Sequence, residues 1–330
     1  MKIVVTGGAG FIGSNFIKYI LNKYTDYEIL NIDKLTYAGN LENLKEVEKN
    51  PNYKFLKRDI CDSDLIDFID RYDVIINFAA ESHVDRAIYG PKIFLKTDIF
   101  GTFNLLEISK KKNMRFIQIS TDEVYGSIEK GSFDENSPLN PSNPYSASKG
   151  SADLLVLSYF KTYKLPVNII RSCNNYGPNQ YPEKFIPLMI TNAIENKKLP
   201  IYGDGLYKRE WIYVLDNCKA IDFILHKGKE GEIYNVSSEF SITNIEVVKK
   251  ILKILKKDKD LIEFVKDRPG HDRRYSLSCE KIKKLGWKCE TDFETGLDLT
   301  IKWYVENENW WKNIKRNKEF LIHYKKIYQK

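Results

Sequence analysis

Short apolar bursts alternate with longer amphipathic stretches through the first half of the chain. KIVVT, YEILNID, YKFLKRD, YDVIINFAA, RFIQIS and PVNIIRS read as strands. Phe11 to Tyr24, about Pro91 to Lys112 and about Tyr145 to Tyr163 carry the apolar spacing of helices. Strands that alternate with helices pair in parallel through crossovers, so the pattern predicts an α/β fold with a doubly wound parallel sheet. Beyond Cys173 the pattern loosens. NNYGPNQYP and PIYGDG are rich in turn formers. Val214 to Lys227 reads as a helix that leads into one more sheet strand, GEIYNVSS.

With 330 residues, the chain exceeds the usual single-domain size. Two lobes that interleave in sequence are expected. Residues 1–172 with about 212–240 would form a Rossmann-type dinucleotide domain. Residues 173–211 with about 241–330 would form a smaller substrate-binding lobe. Lys-rich segments near the C-terminus read as solvated helix faces.

The formal charge of +7 favours an anionic partner, but Lys and Arg are spread along the chain and no nucleic-acid module signature occurs. Phosphates on a small substrate, or a solvated surface, suit the sign equally well. The five cysteines are widely spaced without a CxxC pair, which argues against a disulfide framework or zinc site and for a reducing compartment. Four scattered histidines predict no metal centre. No apolar run reaches ~18 residues, so no membrane span is expected. The opening strand leaves no place for a signal peptide, and a cytoplasmic location follows.

VTGGAGFIGSN carries Gly8-x-Gly10-x-x-Gly13, and equally Gly7-x-x-Gly10-x-x-Gly13, after a strand and at a helix start. Such glycines permit a tight turn, close approach to a pyrophosphate and helix–sheet packing, and the helix N-terminus offers free N–H groups. Asp33 ends the second strand at the expected distance of about 20 residues beyond the last glycine. A carboxylate there accepts ribose hydroxyls and repels a 2′-phosphate, which favours NAD over NADP. The plainer alternative is a helix-start turn and a surface Asp.

NPYSASKGSADLL places Tyr145 and Lys149 four apart, on one helix face. A phenol with a pKa near ~10 is a poor base at neutral pH. A nearby ammonium favours the phenolate. The pair can then take a proton from a sugar hydroxyl as hydride leaves the same carbon. Taken alone, the motif is also an ordinary helix start with Pro144 in its first turn. ISTDEVYG sets two carboxylates, Asp122 and Glu123, at the carboxyl end of a strand, where open α/β sheets bind ligands. Ser120-x-x-Glu123 matches a capping box, with Asp122 as a first-turn anion. One ionised and one neutral carboxyl group could instead serve as base and acid, if their environments split their pKa values.

Taken together, TGGAGFIGSN, DKLTYAGN, AAESHVDR, STDEVYG, YSASK, NNYGPNQYPEK, PIYGDGLYKREWIYV and DRPGHDRRY resemble the extended short-chain dehydrogenase/reductase family. Within it they resemble the dTDP-glucose 4,6-dehydratase branch. The likeness covers nearly the whole chain, although the first and fifth motifs mark only the broad family. It implies tightly bound NAD, held by Gly7, Gly10, Phe11, Ile12, Gly13, Asp33, Lys34, Leu35, Thr36, Asp59, Ile60, Phe78, Ala79, Ala80, Ser82, Thr97, Tyr145, Lys149 and Asn175. It implies a nucleotide-sugar substrate, held by Ser82, Thr121, Asn174, Lys184, Phe185, Pro200, Ile201, Tyr202, Arg209, Asn244, Asp267, Arg268, Pro269, Gly270 and His271. Arg209 and Asp267 to His271 resemble a diphosphate clamp, and Tyr202 would stack on a base.

The implied reaction oxidises C4 of the hexose through Tyr145 and Lys149, with Thr121 on the reacting hydroxyl. Glu123 takes the C5 proton, Asp122 protonates the departing C6 hydroxyl, and hydride returns to C6. dTDP-glucose is the first substrate to expect and a UDP-hexose the alternative. A homodimer through two long helices is implied by the same likeness. His83 reads as structural. Glu210 stands where the family usually has Asp, and Cys173 where it has a small hydroxyl residue. A 4-epimerase of the same fold would share Tyr145 and Lys149 but have no use for the two carboxylates. A non-catalytic sensor would bind NAD and change no sugar.

Overall fold

The computed structural model describes residues 1–328. β1 (Lys2–Thr6), β2 (Glu28–Asp33), β3 (Tyr53–Lys57), β4 (Val74–Asn77), β5 (Arg115–Thr121) and β6 (Val167–Ser172) coincide with the six apolar bursts. The next four strands are β7 (Asn174–Tyr176), β8 (Leu199–Tyr202), β9 (Lys208–Tyr213) and β10 (Glu232–Val236). A seven-stranded sheet runs in the order β10–β6–β5–β4–β1–β2–β3, and each neighbouring pair is parallel. The fold is the Rossmann-type arrangement that the strand–helix alternation predicts.

The strands are mostly apolar because both faces of the sheet are covered, and the polar residues they do carry, such as Asn31, Gln118 and Arg171, are buried. Successive side chains of a strand point to opposite faces. In β1, Ile3 and Val5 enter one core with Phe16, Ile76, Ile117 and Ile221, whereas Val4 enters the other with Ile75, Leu105, Phe116 and Val156. β1 is the start of both halves of the sheet: β2 and β3 lie to one side, β4, β5, β6 and β10 to the other. Ligand crevices in open sheets form at that reversal, outside the strand carboxyl ends.

The helix expected over about Pro91 to Lys112 is present but not uniform. Pro91–Phe94 and Thr102–Lys112 are α-helical, and Leu95–Gly101 between them is π-helical. Such widened turns are rare and cluster at functional sites. Here Thr97 and Asp98 turn into the protein and are buried, while Leu95, Phe100 and Phe103 remain exposed.

In the second half, NNYGPNQYP and PIYGDG are not turns alone. The first begins with β7 and the second holds the end of β8, with the turns made at Gly177, Gly203 and Gly205, all at positive φ. β11 (Ser241–Thr243), β9 and β7 form a three-stranded sheet, and β12 (Ile262–Val265) pairs with β8. A separate core gathers there around Tyr176, Met189, Ile201, Ile251, Leu297, Tyr304 and Trp311. A buried polar network joins the ends of the large sheet. Arg171 Nε lies 2.9 Å from Asp153 Oδ2, and Arg171 Nη1 donates to Tyr125 OH at 2.8 Å. Tyr125 donates to Asn235 Oδ1 and Ser120 to Asp153 Oδ2, each at 2.9 Å. Removing one partner of such a pair strands a buried charge, so the network fixes β5, β6, β10 and the Pro144–Tyr163 helix relative to one another. No helix among the described residues is long and apolar enough to cross a membrane.

Candidate active site

A cleft of about 410 Å³ opens at the carboxyl ends of the parallel strands. One end is built by the glycine loop. Gly7 lies at φ +69°, and a Cβ there would sit 2.6 Å from Ala79 N; a Cβ on Gly13 would sit 2.6 Å from Gly7 O. The bare backbone therefore keeps the β1 loop and the residues after β4 in contact, which leaves a cradle over the N-terminus of the Phe11–Lys23 helix. Asp33 is held by two backbone donors, Ala9 N at 2.9 Å and Leu35 N at 2.8 Å. Burial raises its pKa, and those two donors oppose the shift.

The acidic pair stands on a short 3₁₀ turn, Asp122–Tyr125. Its cap is Thr121, whose Oγ1 accepts from Glu123 N at 3.3 Å and donates to Asp122 Oδ1 at 3.2 Å. The Ser120–Glu123 capping box, the plainer alternative for this motif, does not form, because the Ser120 hydroxyl is spent on Asp153. Thr121 and Glu123 face the cleft; Asp122, only 2% exposed, lies behind that wall. Their surroundings differ. Burial, then the charges of Glu123 and Glu210, push Asp122 well above the usual carboxylate range. Burial also raises Glu123, but Arg268, Arg209 and Lys184 all pull it back towards the ionised form. The pair is thus split in the sense an acid and a base require.

Tyr145 sits in the first turn of the Pro144–Tyr163 helix, which Asn143 and Ser146 cap reciprocally. Four residues on, Lys149 is buried and its Nζ donates to Ile119 O at 2.7 Å. The expectation that this ammonium lowers the phenol's pKa is not met. Burial, followed by the charges of Glu123, Asp98 and Asp122, raises Tyr145 well above its ordinary value. Burial lowers Lys149, with Asp98 and Asp153 opposing. Asp98 was not singled out in the sequence. Its carboxylate accepts from Glu81 N at 3.0 Å and from Ser148 Oγ at 2.5 Å, and burial pushes it up to about 6. Only the π-helical turn brings it here, and no motif announces that.

Most of the remaining expected residues meet in this one cleft. Gly10, Phe11, Ile12, Lys34, Thr36, Asp59, Ile60, Phe78, Ala79, Ala80, Ser82, Thr97 and Asn175 line it with the glycine loop. Asn174, Lys184, Phe185, Pro200, Tyr202, Arg209, Asn244, Arg268 and His271 line the same cleft. Five others do not line it. Leu35 offers only its backbone to Asp33. Ile201 is fully buried in the second core, because alternation along β8 sends Pro200 and Tyr202 to the cleft and Ile201 away. Asp267 grips His271 Nδ1 at 2.7 Å from behind, and Pro269 and Gly270 form the exposed turn between them, with Gly270 at φ +61°. Glu210, where the likeness breaks, is fully engaged away from the cleft: it accepts from Ser237 and Ser276 hydroxyls at 2.6 Å and from Leu277 N at 3.2 Å.

The sequence reading passed over Asp85, Glu183 and Tyr328, which also line the cleft, and His83 is more than structural filling. His83 adopts φ 112° and faces His323 and Glu183, with ligating atoms of the three within 4.8 Å of one another. Both oxygens of Glu183 already accept from Arg86, and Lys184 and Arg268 add positive charge at His83, so this grouping opposes a cation. Buried polar groups are normally paired. Around this cleft several are not: Thr97 Oγ1, Asp122 Oδ2, Glu123 Oε2, Asn174 Nδ2, Asn175 Oδ1 and Arg268 Nε. That donor and acceptor set, with the glycine cradle, fits a dinucleotide and a hydroxyl-rich anion side by side.

Comparison with known proteins agrees with the geometry. The GDP-mannose 4,6 dehydratase family model matches residues 4–300. A dTDP-glucose 4,6-dehydratase of Haemophilus influenzae is 50% identical over 336 residues, which cover 94% of this chain and 99% of the relative. The crystal structure of a dTDP-glucose 4,6-dehydratase of Bacillus anthracis in complex with NAD is 51% identical, with a TM-score of 0.90 over 96% of this chain and 100% of that one. That of a Streptomyces venezuelae dTDP-glucose 4,6-dehydratase, also with NAD bound, is 45% identical, with a TM-score of 0.94 over the same shares. Likeness of this extent, reaching from the glycine loop to the last core helices, makes the chain a member of the nucleotide-sugar 4,6-dehydratase family.

Proposed function

We propose that this protein catalyses the NAD-dependent 4,6-dehydration of a nucleotide hexose, dTDP-glucose ahead of a UDP-hexose, to the 4-keto-6-deoxy sugar and water. The observation that carries the reading is the split carboxyl pair: Glu123 lines the cleft with Thr121 and Tyr145, and Asp122 stands directly behind them, bonded to the Thr121 hydroxyl. Gly7, Gly10, Gly13, Asp33, Thr97 and Asn175 would hold the dinucleotide, which supplies the hydride acceptor and, later, the donor. The chain's own groups handle the protons. Tyr145 Oη takes the C4 hydroxyl proton, with Lys149 as the adjacent cation and Thr121 Oγ1 orienting that hydroxyl. The carbonyl formed at C4 acidifies C5–H. The Glu123 carboxylate removes that proton, and the Asp122 carboxyl gives its own to the C6 hydroxyl, which leaves as water. Arg209, Arg268 and Lys184 suit the diphosphate.

Incubating the protein with dTDP-glucose and NAD is expected to yield a 4-keto sugar, seen as absorbance that develops in alkali. A folded, NAD-loaded protein that leaves dTDP- and UDP-glucose unchanged refutes the reading. An epimerase would instead release the C4 epimer and keep the C6 hydroxyl.

A homodimer is also proposed. The Pro91–Lys112 rod and the Pro144–Tyr163 helix leave Leu95, Phe100, Phe103 and Leu154 exposed, with Phe100 at 66%. Contiguous apolar surface of this kind marks an interface. Sedimentation at twice the chain mass, reduced to a monomer by Phe100→Glu, is the expected result. We assign the dinucleotide to residues 1–172 with about 212–240 and the nucleotide sugar to residues 173–211 with about 241–330; the separate core around Tyr176, Met189 and Trp311 supports the division, whereas Leu277, Cys279, Ile282 and Trp287 pack into the first core. The five cysteines are free, which supports a cytoplasmic setting.

A further inference from the structure

We propose that Arg86 is a positioning residue that clamps the loop around Tyr37, the segment carrying Glu183 and the last helix together, and so keeps the reduced dinucleotide beside the keto sugar until hydride returns. The part that concerns turnover rests on the dehydratase reading; the clamp itself rests on the following geometry.

Arg86 lies on the short helix Val84–Tyr89, and its side chain is 17% exposed. Its guanidinium holds three partners that are far apart in sequence. Nε and Nη2 donate to Glu183 Oε2 at 3.1 and 2.8 Å, and Nε reaches Oε1 at 3.3 Å. Nη1 donates to Glu319 Oε1 at 3.0 Å, on the last helix, Lys318–Tyr328. The central carbon stands 3.6 Å from the centre of the Tyr37 ring, and the Tyr37 hydroxyl donates to Ser82 O at 2.6 Å.

Each partner belongs to a segment that borders the cleft. Tyr37 sits between Thr36 and Ala38, which both line it. That loop is sewn to the glycine loop at Ala9. The Ala9 N–H donates to Asp33 Oδ2 at 2.9 Å, and its carbonyl accepts from Asn40 N at 3.0 Å and Asn43 Nδ2 at 2.9 Å. Glu183 and Lys184 line the same cleft from the chain that follows β7, in the three-stranded sheet. The last helix reaches it at Tyr328. An arginine suits this junction, because its planar fork grips a carboxylate while its face stacks on a ring and its remaining N–H groups stay free for a second acid. The Glu183 side chain is 4% exposed; burial raises its pKa, and the Arg86 charge opposes. Losing the guanidinium would strand that carboxylate in the interior and release the other two segments from it.

The reaction gives the clamp its purpose. When hydride leaves C4, the sugar is oxidised by two electrons and the bound dinucleotide reduced by the same two. The cycle closes only when that hydride reaches C6. Separation at this stage leaves free NADH, a keto sugar and a protein without its oxidant.

The test starts from the protein with NAD bound and no sugar. Arg86→Lys keeps the charge but loses the fork, and is expected to release NAD at least about tenfold faster than the parent, because breaking a buried charge pair acts on dissociation. Turnover of dTDP-glucose is then followed with lactate dehydrogenase and pyruvate, which convert escaped NADH to lactate. Lactate is expected from Arg86→Lys and not from the parent. Saturating NAD should return kcat of the variant to within about threefold of the parent, a rescue that a distorted site would not show. Should Arg86→Lys not fold, Glu319→Lys is read in the same way. Its site is 52% exposed, and the new cation faces Arg86, so NAD release is expected to quicken by about threefold or more. Release within about twofold of the parent in the folded variant overturns the proposal. Faster release without lactate overturns its claim on turnover. Because release is measured without sugar, a parent protein that makes no 4-keto product sinks the dehydratase reading and leaves the clamp to be judged on release alone.

Discussion

Glu123→Gln is expected to lower kcat by about a hundred- to ten-thousand-fold, the usual contribution of a positioned acid or base. Asp122→Asn should fall in the same range. NAD content should not change, because neither side chain belongs to the glycine cradle. Single-turnover reactions sort the two roles. Without Glu123 the C5 proton no longer exchanges with solvent, whereas without Asp122 exchange at C5 persists and water is not lost. An enzyme that keeps full turnover with both amides in place is not a dehydratase. The pair also predicts a pH dependence. Asp122 must be protonated, so activity falls as pH rises through its raised pKa. Glu123 must be ionised, so activity falls as pH drops through its own, milder elevation. Stability follows the same sign. A carboxyl whose folded pKa is raised gives its full stability below the unfolded pKa and loses it as pH climbs through the folded one. Asp122→Asn removes that loss and is expected to raise the unfolding midpoint at neutral pH, an instance of stability given up for activity.

Tyr145→Phe is the second large effect expected, again about a hundred- to ten-thousand-fold in kcat, with the nucleotide-sugar dissociation constant little changed. Burial and the charges of Glu123, Asp98 and Asp122 hold the phenol above its ordinary pKa, with the Thr121 hydrogen bond opposing. As the group that must lose its proton to act, Tyr145 should make kcat/KM rise with pH through neutrality, its acid limb reporting a pKa well above the ordinary phenol value. Lys149→Met removes the one adjacent cation and should lower kcat at neutral pH further than it weakens binding. A Tyr145→Phe variant that retains more than a tenth of parental kcat would displace Tyr145 from the proton-taking role.

The sequence was most informative where a local rule and the global fold agree. Bursts such as KIVVT and VIIN are apolar except at their ends because helices cover both faces of the sheet, so periodicity, burial and topology give the same answer. The glycine loop was legible because backbone contacts of 2.6 Å exclude any side chain at Gly7 and Gly13. Less was legible where a contact spans most of the chain. Nothing near Arg86 announces Glu183 or Glu319, and nothing near Tyr202 announces Tyr328. The π-helical turn that delivers Asp98 has no compositional mark. Two details could have been sharpened from the residues alone. Alternation in LPIY already sends Ile201 away from Pro200 and Tyr202. Thr121, one residue after Ser120, offers the same capping hydroxyl.

β1 begins at Lys2, in the middle of the sheet and at the edge remote from the cleft, whereas the last helix ends with Tyr328 in the cleft wall. The two termini are therefore unequal sites for an affinity tag, a fluorescent fusion or a surface linker. Cargo placed ahead of Met1 emerges behind the catalytic machinery. Cargo attached behind Tyr328 starts at the cleft wall, and assays on such a fusion would report the attachment as much as the enzyme.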